Sequence, residues 1–104
     1  MFGLKESDIL AIREILSRYP EVEHAYVFGS RVKGNYRNGS DVDIALKGET
    51  LTYSIVSTIS FSLNEETIMP YHFDVLNYHT IRNEQLTEHI DRVGVCFYTR
   101  AGNE

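Results

Sequence analysis

Residues 27–46, VFGSRVKGNYRNGSDVDIAL, close an apolar run with a Gly-Ser pair and, ten residues later, set two aspartates on either side of a valine. In an extended strand, alternation sends Asp41 and Asp43 to one face and Val42 and Ile44 to the other, toward a core. Two carboxylates about 7 Å apart on one face repel unless a positive charge lies between or beside them. Mg²⁺ suits that place, because it prefers oxygen ligands and is usually held by one or two carboxylates plus substrate phosphates. Asp74 stands mid-strand on the polar face of a later apolar segment. If that strand neighbours Asp41 and Asp43, three carboxylates converge, as a two-metal site for in-line phosphoryl displacement requires.

The Gly-Ser pair supplies the complementary half. Gly29 lets backbone approach a ligand without interference from a Cβ. Ser30 offers a hydroxyl, and the amides of the turn after it can hold an anion. Arg31, Lys33 and Arg37 place three of the ten basic side chains within seven residues. In a chain of net charge −5 that concentration fits a polyphosphate lying against the loop.

Working outward, helices and strands alternate. A helix is expected over residues 7–19, capped by Ser7, with Ile9, Ile12, Leu16 and Tyr19 as its stripe and Pro20 as its stop. Residues 24–28 and 41–46 read as strands, and a helical turn fits residues 30–33 between them. Four-residue spacing of Leu51, Ile55, Ile59 and Leu63 predicts a helix over 50–63. A strand over 71–76, a helix over 82–93 ended by Gly94, and a closing strand over 95–99 complete the chain. The expected fold is α/β (α+β), a small mixed sheet backed by helices, in one domain over residues 1–104.

Composition narrows the function. The negative net charge argues against a binder that grips many nucleic-acid phosphates, so no direct nucleic-acid contact is expected. Without an apolar run of membrane-spanning length or a signal pattern, a soluble cytoplasmic protein with no membrane association is expected. The one cysteine, Cys96, excludes an internal disulfide and reads as a buried packing residue. His72, on the face of Asp74, reads as a hydrogen-bonded structural histidine, with a place near the metals as its other reading. His24, His79 and His89 show no ligand spacing. Tyr36 in the basic loop faces either a nucleotide base or a partner.

Gly29-Ser30, ten residues, then Asp41-Val42-Asp43 resembles the signature of the DNA polymerase beta-type nucleotidyltransferase superfamily, and the GSRVKG…R…SDVDIAL wording resembles its minimal nucleotidyltransferase (MNT) branch. The resemblance runs through Asp74 to HIDRVGVCFYT and implies the polymerase beta-like fold. It implies that Gly29 and Ser30 hold a triphosphate and that Asp41, Asp43 and Asp74 bind two Mg²⁺ ions and do the catalysis. Arg31 and Arg37 match basic positions common in the branch, whereas Val32 and Lys33 are variants of a frequent Ala-Arg pair, so Lys33 is expected at the nucleotide from its charge in the loop. Members of this branch are often paired with a helical HEPN RNase toxin and are similar to antitoxins that transfer AMP from ATP to a tyrosine of that partner. The expected function is therefore an ATP-dependent adenylylating antitoxin in a hetero-oligomer with a HEPN toxin. A chain of this length leaves no acceptor domain, so the acceptor is expected from another chain. Transfer to a small molecule, as in aminoglycoside-modifying relatives, and neutralisation by binding alone are the alternatives.

Overall fold

The structure is a computed structural model that describes residues 2–34 and 41–100, the side chains of Ser30 and Lys33 excepted. Strands β1 (His24–Phe28), β2 (Val42–Lys47), β3 (Phe73–Asn77) and β4 (Val95–Thr99) form one sheet in the order β3-β2-β1-β4. β1 runs antiparallel to both β2 and β4, whereas β2 and β3 are parallel, so the sheet is mixed. The crossover between the parallel pair is α3 (Tyr53–Glu65), preceded by α1 (Glu6–Ser17) and the short α2 (Ser30–Lys33) and followed by α4 (Glu84–Val93).

One face of the sheet carries the main core. Ile9, Ile12, Ile15 and Leu16 of α1 and Ile59 and Leu63 of α3 pack on Ala25, Val27, Val42, Ile44, Leu46 and Phe73. Val42, Ile44 and Leu46 are wholly buried. Burial of each such side chain stabilises the fold by roughly 1.5–3 kcal/mol before entropy is counted. The opposite face holds a smaller cluster, where Ile90 of α4 meets Phe28 and Ala45. That cluster stops short of the mouth of β2, where Asp41 and His72 are exposed.

Local chemistry adjusts several boundaries. The first helix begins one residue before Ser7, because the Asp8 carboxylate accepts from the Lys5 amide at 3.2 Å, making Lys5 the cap residue. Thr52 caps α3, its hydroxyl accepting from the Ile55 amide at 3.1 Å, so the helix starts later than apolar spacing alone predicts. Asn83 does the same for α4, accepting from the amides of Gln85 and Leu86. Gly94 ends α4 as expected, but with φ −64°. It serves by close approach, since a Cβ there would press on the Ile90 carbonyl oxygen.

Both sheet edges are partly covered by side chains. At the β3 edge the Asn64 carboxamide imitates a neighbouring strand: its Nδ2 donates to the Phe73 carbonyl at 2.9 Å and its Oδ1 accepts from the Phe73 amide at 2.8 Å. At the β4 edge Arg13 Nε donates to the Phe97 carbonyl at 2.8 Å. Cys96, expected to be buried, is exposed, because it points outward from this edge strand while Phe97 takes the core position. Among the described residues no helix is long and apolar enough to cross a membrane.

Candidate active site

The parallel pairing of β2 and β3 positions the carboxylates. Asp43 is the register partner of Asp74, and the apolar Val42 that of Phe73. The ladder continues one step outward, where the Val42 amide donates to the His72 carbonyl at 2.9 Å, bringing Asp41 beside His72. Adjacent strands are about 4.8 Å apart and alternate residues of one strand about 7 Å apart. Four polar side chains therefore form two rows on one face, Asp41 with His72 outside and Asp43 with Asp74 inside. Ligand atoms of Asp41, His72 and Asp74 all lie within 4.8 Å of one another. His72 Nε2 is 3.1 Å from Asp74 Oδ1.

Crowding of like charge marks the inner row. Burial first, then the charges of Asp74 and Asp41 and a hydrogen bond with Asp74, push the Asp43 carboxyl up to about 6. A carboxyl so placed gains from a cation that neutralises its neighbours. Three carboxylates and one imidazole make an oxygen-rich donor set, and Mg²⁺ fits it, with Asp41, Asp43 and Asp74 as the residues that would hold the ion.

The Gly-Ser turn touches this row directly. Phe28 pairs with Asp43 across β1 and β2, so the next residue, Gly29, lies against the Asp43 carboxylate. Gly29 caps α2 with φ +83°, a conformation that side chains rarely adopt, and an added Cβ would collide with Asp43 Oδ2. Glycine is demanded here twice, by backbone conformation and by space.

Arg31 departs from its expected place. Rather than projecting from the loop, it is 3% exposed, with Nη1 donating to the Phe2 carbonyl at 3.0 Å and its guanidinium 4.8 Å from the Tyr71 ring centroid. The Tyr71 hydroxyl in turn donates to Asp8 Oδ2 at 3.2 Å. The N-terminal turn and an aromatic face satisfy the planar cation, so Arg31 braces α2 against the start of α1 and the lead-in to β3. Arg37 and Tyr36 lie outside the described residues, as do the side chains of Ser30 and Lys33.

Two further residues contribute to the site, one without a signal in the sequence and one with. Asn64 fixes the start of β3, and hence Asp74, through its paired bonds to Phe73; nothing in the helix pattern signals it. His72 stands at the site as well, and its i, i+2 relation to Asp74 is the sequence signal for it. A groove of about 600 Å³ runs along α3 and the β3 edge, lined by Tyr53, Phe61, Met69, Tyr71 and Val75 and reaching the site at His72. Tyr53 and Phe61 are 88% and 59% exposed.

Known proteins share this fold. The family described as Polymerase beta, Nucleotidyltransferase matches residues 11–103. None of the curated proteins matches the chain significantly. Among solved structures, a toxin-antitoxin with AMP-PNP is similar over 94% of this chain and 76% of its own, with TM-score 0.73 and 21% identity. A tri-AMPylated Shewanella oneidensis HEPN toxin in complex with MNT antitoxin is similar over 92% and 73%, with TM-score 0.70 and 17% identity. A nucleotidyltransferase fold from Sulfolobus solfataricus is similar over 96% and 94%, with TM-score 0.51 and 23% identity.

Proposed function

Because the chain belongs to the polymerase beta nucleotidyltransferase family, we propose that it transfers AMP from ATP to a hydroxyl, a tyrosine's, on a HEPN toxin partner and so acts as its antitoxin. The observation that carries this reading is the register of β2 and β3, which pairs Asp43 with Asp74 and brings Asp41 beside His72, with Gly29 against Asp43. The choice of partner is supported by the likeness in fold to the Shewanella oneidensis complex of an AMPylated HEPN toxin with its MNT antitoxin. A nucleotide substrate is supported by the likeness to the toxin-antitoxin with AMP-PNP. ATP as substrate goes with a cytoplasmic setting.

In this reading Mg²⁺, when bound by the three aspartates, neutralises the phosphates and lowers the barrier to attack by the acceptor hydroxyl. The chain's own residues do the positioning. Gly29 keeps the turn close to the inner carboxylates, with room for phosphate oxygens that a larger residue would exclude. Arg31, locked to Phe2 and Tyr71, holds that turn in place. Asp74, on the side of the site that meets the groove, orients the acceptor hydroxyl. The acceptor oxygen bonds to the α-phosphorus, the bond from that phosphorus to the pyrophosphate oxygen breaks, and the hydroxyl proton leaves through the carboxylate row to solvent. Exposed Tyr53 and Phe61 give the partner an apolar footing beside the reacting centre.

The test is the intact mass of the protein that co-purifies with this chain, before and after incubation with ATP and Mg²⁺. One or more added AMP units, absent when Asp43→Ala replaces the native chain, are expected. A partner whose mass never changes would overturn the reading.

A further inference from the structure

The four-residue arrangement at the mouth of the sheet contains one group that the carboxylate account leaves unused. His72 is the outer-row neighbour of Asp41, fixed there by the backbone bond from the Val42 amide to its own carbonyl. Its Nε2 reaches Asp74, and one ligand atom from each of Asp41, His72 and Asp74 falls within 4.8 Å of the others. The pairing with Asp74 does little for the fold, because the two side chains are 60% and 47% exposed and solvent screens such a pair. An imidazole aimed between two carboxylates, on a preset backbone, has the geometry of a ligand.

Resting on the metal-dependent reading above, we infer that His72 binds metal through Nε2, so that Asp41, His72 and Asp74 form a mixed nitrogen–oxygen position that holds a first-row transition ion more tightly than Mg²⁺. The chemical reason is ligand preference. Carboxylates suit Mg²⁺ and Mn²⁺ alike, whereas an imidazole nitrogen favours transition ions and gives Mg²⁺ little. With its proton on Nδ1, His72 turns the Nε2 lone pair toward the position now shared with Asp74. Asp43, in the inner row, remains an all-oxygen partner to Asp74. The two rows thus differ in the ion they prefer.

Mn²⁺ is the probe, added to the full chain carrying ¹⁵N-labelled histidine, with and without AMP-PNP, and read by pulsed electron paramagnetic resonance. A ¹⁵N coupling is expected in the native chain and is expected to vanish in His72→Ala. Titration should show Mn²⁺ binding weakened about 10-fold or more by that change and Mg²⁺ binding by less than about 3-fold. His72→Gln, which restores an oxygen donor, should narrow the gap between the two ions. Mn²⁺ bound with no histidine coupling, or with a coupling that survives His72→Ala, overturns this inference and leaves the nucleotidyltransferase reading intact. Failure of the native chain to bind Mn²⁺ or Mg²⁺ under either condition overturns both. The exposed position of His72 makes the variants safe for folding, and the coupling in the native chain is read without any variant.

Discussion

The two faces of β2 are built from adjacent residues and do opposite things. Val42, Ile44 and Leu46 point into the core under α1 and α3 with no exposure at all. Asp41 and Asp43, one residue out of phase, join Asp74 and His72 on the face that α4 leaves open at its end. Stability comes from the first set, and the second set opposes it, since like charges are held together where burial penalises them. The same strand thus anchors the fold and carries a strained group of carboxylates, which is what a site awaiting a cation and a polyphosphate requires.

Substitutions on the two faces should separate these roles. The largest effect belongs to Asp43→Ala, expected to lower AMP transfer by about a thousandfold or more. Urea denaturation of the same variant, without metal, should show undiminished stability. Ile44→Ala, one residue away, should reverse the pattern. It is expected to cost about 2–5 kcal/mol of stability by denaturant titration while the folded fraction keeps its transfer rate. Gly29→Ala should strike both faces at once. The backbone there, φ +83° and ψ −151°, is one that glycine alone adopts readily and costs about 1–3 kcal/mol, and the collision with Asp43 should lower both divalent-ion affinity, by calorimetry, and transfer.

The smallest effect is a dependence on pH. In the folded chain Asp43 titrates near 6, above its ordinary value of 3.8. The fold therefore holds this proton more tightly than the unfolded chain does. Its favourable contribution is complete below about pH 4 and is lost as pH rises through about 6. Thermal midpoints of the native chain in a chelator, measured against Asp43→Asn from pH 4 to 7, should fall relative to the variant across that window. A difference that stays flat would mean that the carboxylates are not crowded.

Much of this was legible in the sequence because much of it is local. Alternation gives β1 its observed limits, the apolar stretch after Gly94 gives β4 its own, and the Gly-Ser and Asp-x-Asp spacing sets Gly29 at the end of β1 and Asp41 and Asp43 at the start of β2. Helix starts were less legible, since capping by Lys5, Thr52 and Asn83 competes with apolar periodicity over one or two residues. What depended on partners distant in sequence could not be read. Arg31 is drawn inward by Phe2 and Tyr71, which no spacing rule relates to it. Cys96 is exposed because β4 is an edge strand, a property of sheet order and not of its own apolar neighbours. The place of Asp74 was conditional on strand adjacency, and the parallel register with β2 supplies it.

The central claim is that the carboxylate face of β2 and β3 transfers a nucleotidyl group, and α-labelled and γ-labelled ATP distinguish it from every other use of such a site. With the co-purifying partner and Mg²⁺ present, the account predicts that label from the α-phosphate becomes covalently attached to the partner. The γ-label should leave as pyrophosphate, and neither should be transferred by the Asp41→Ala, Asp43→Ala double variant. Transfer of γ-label, or undiminished α-label transfer by the double variant, would contradict it.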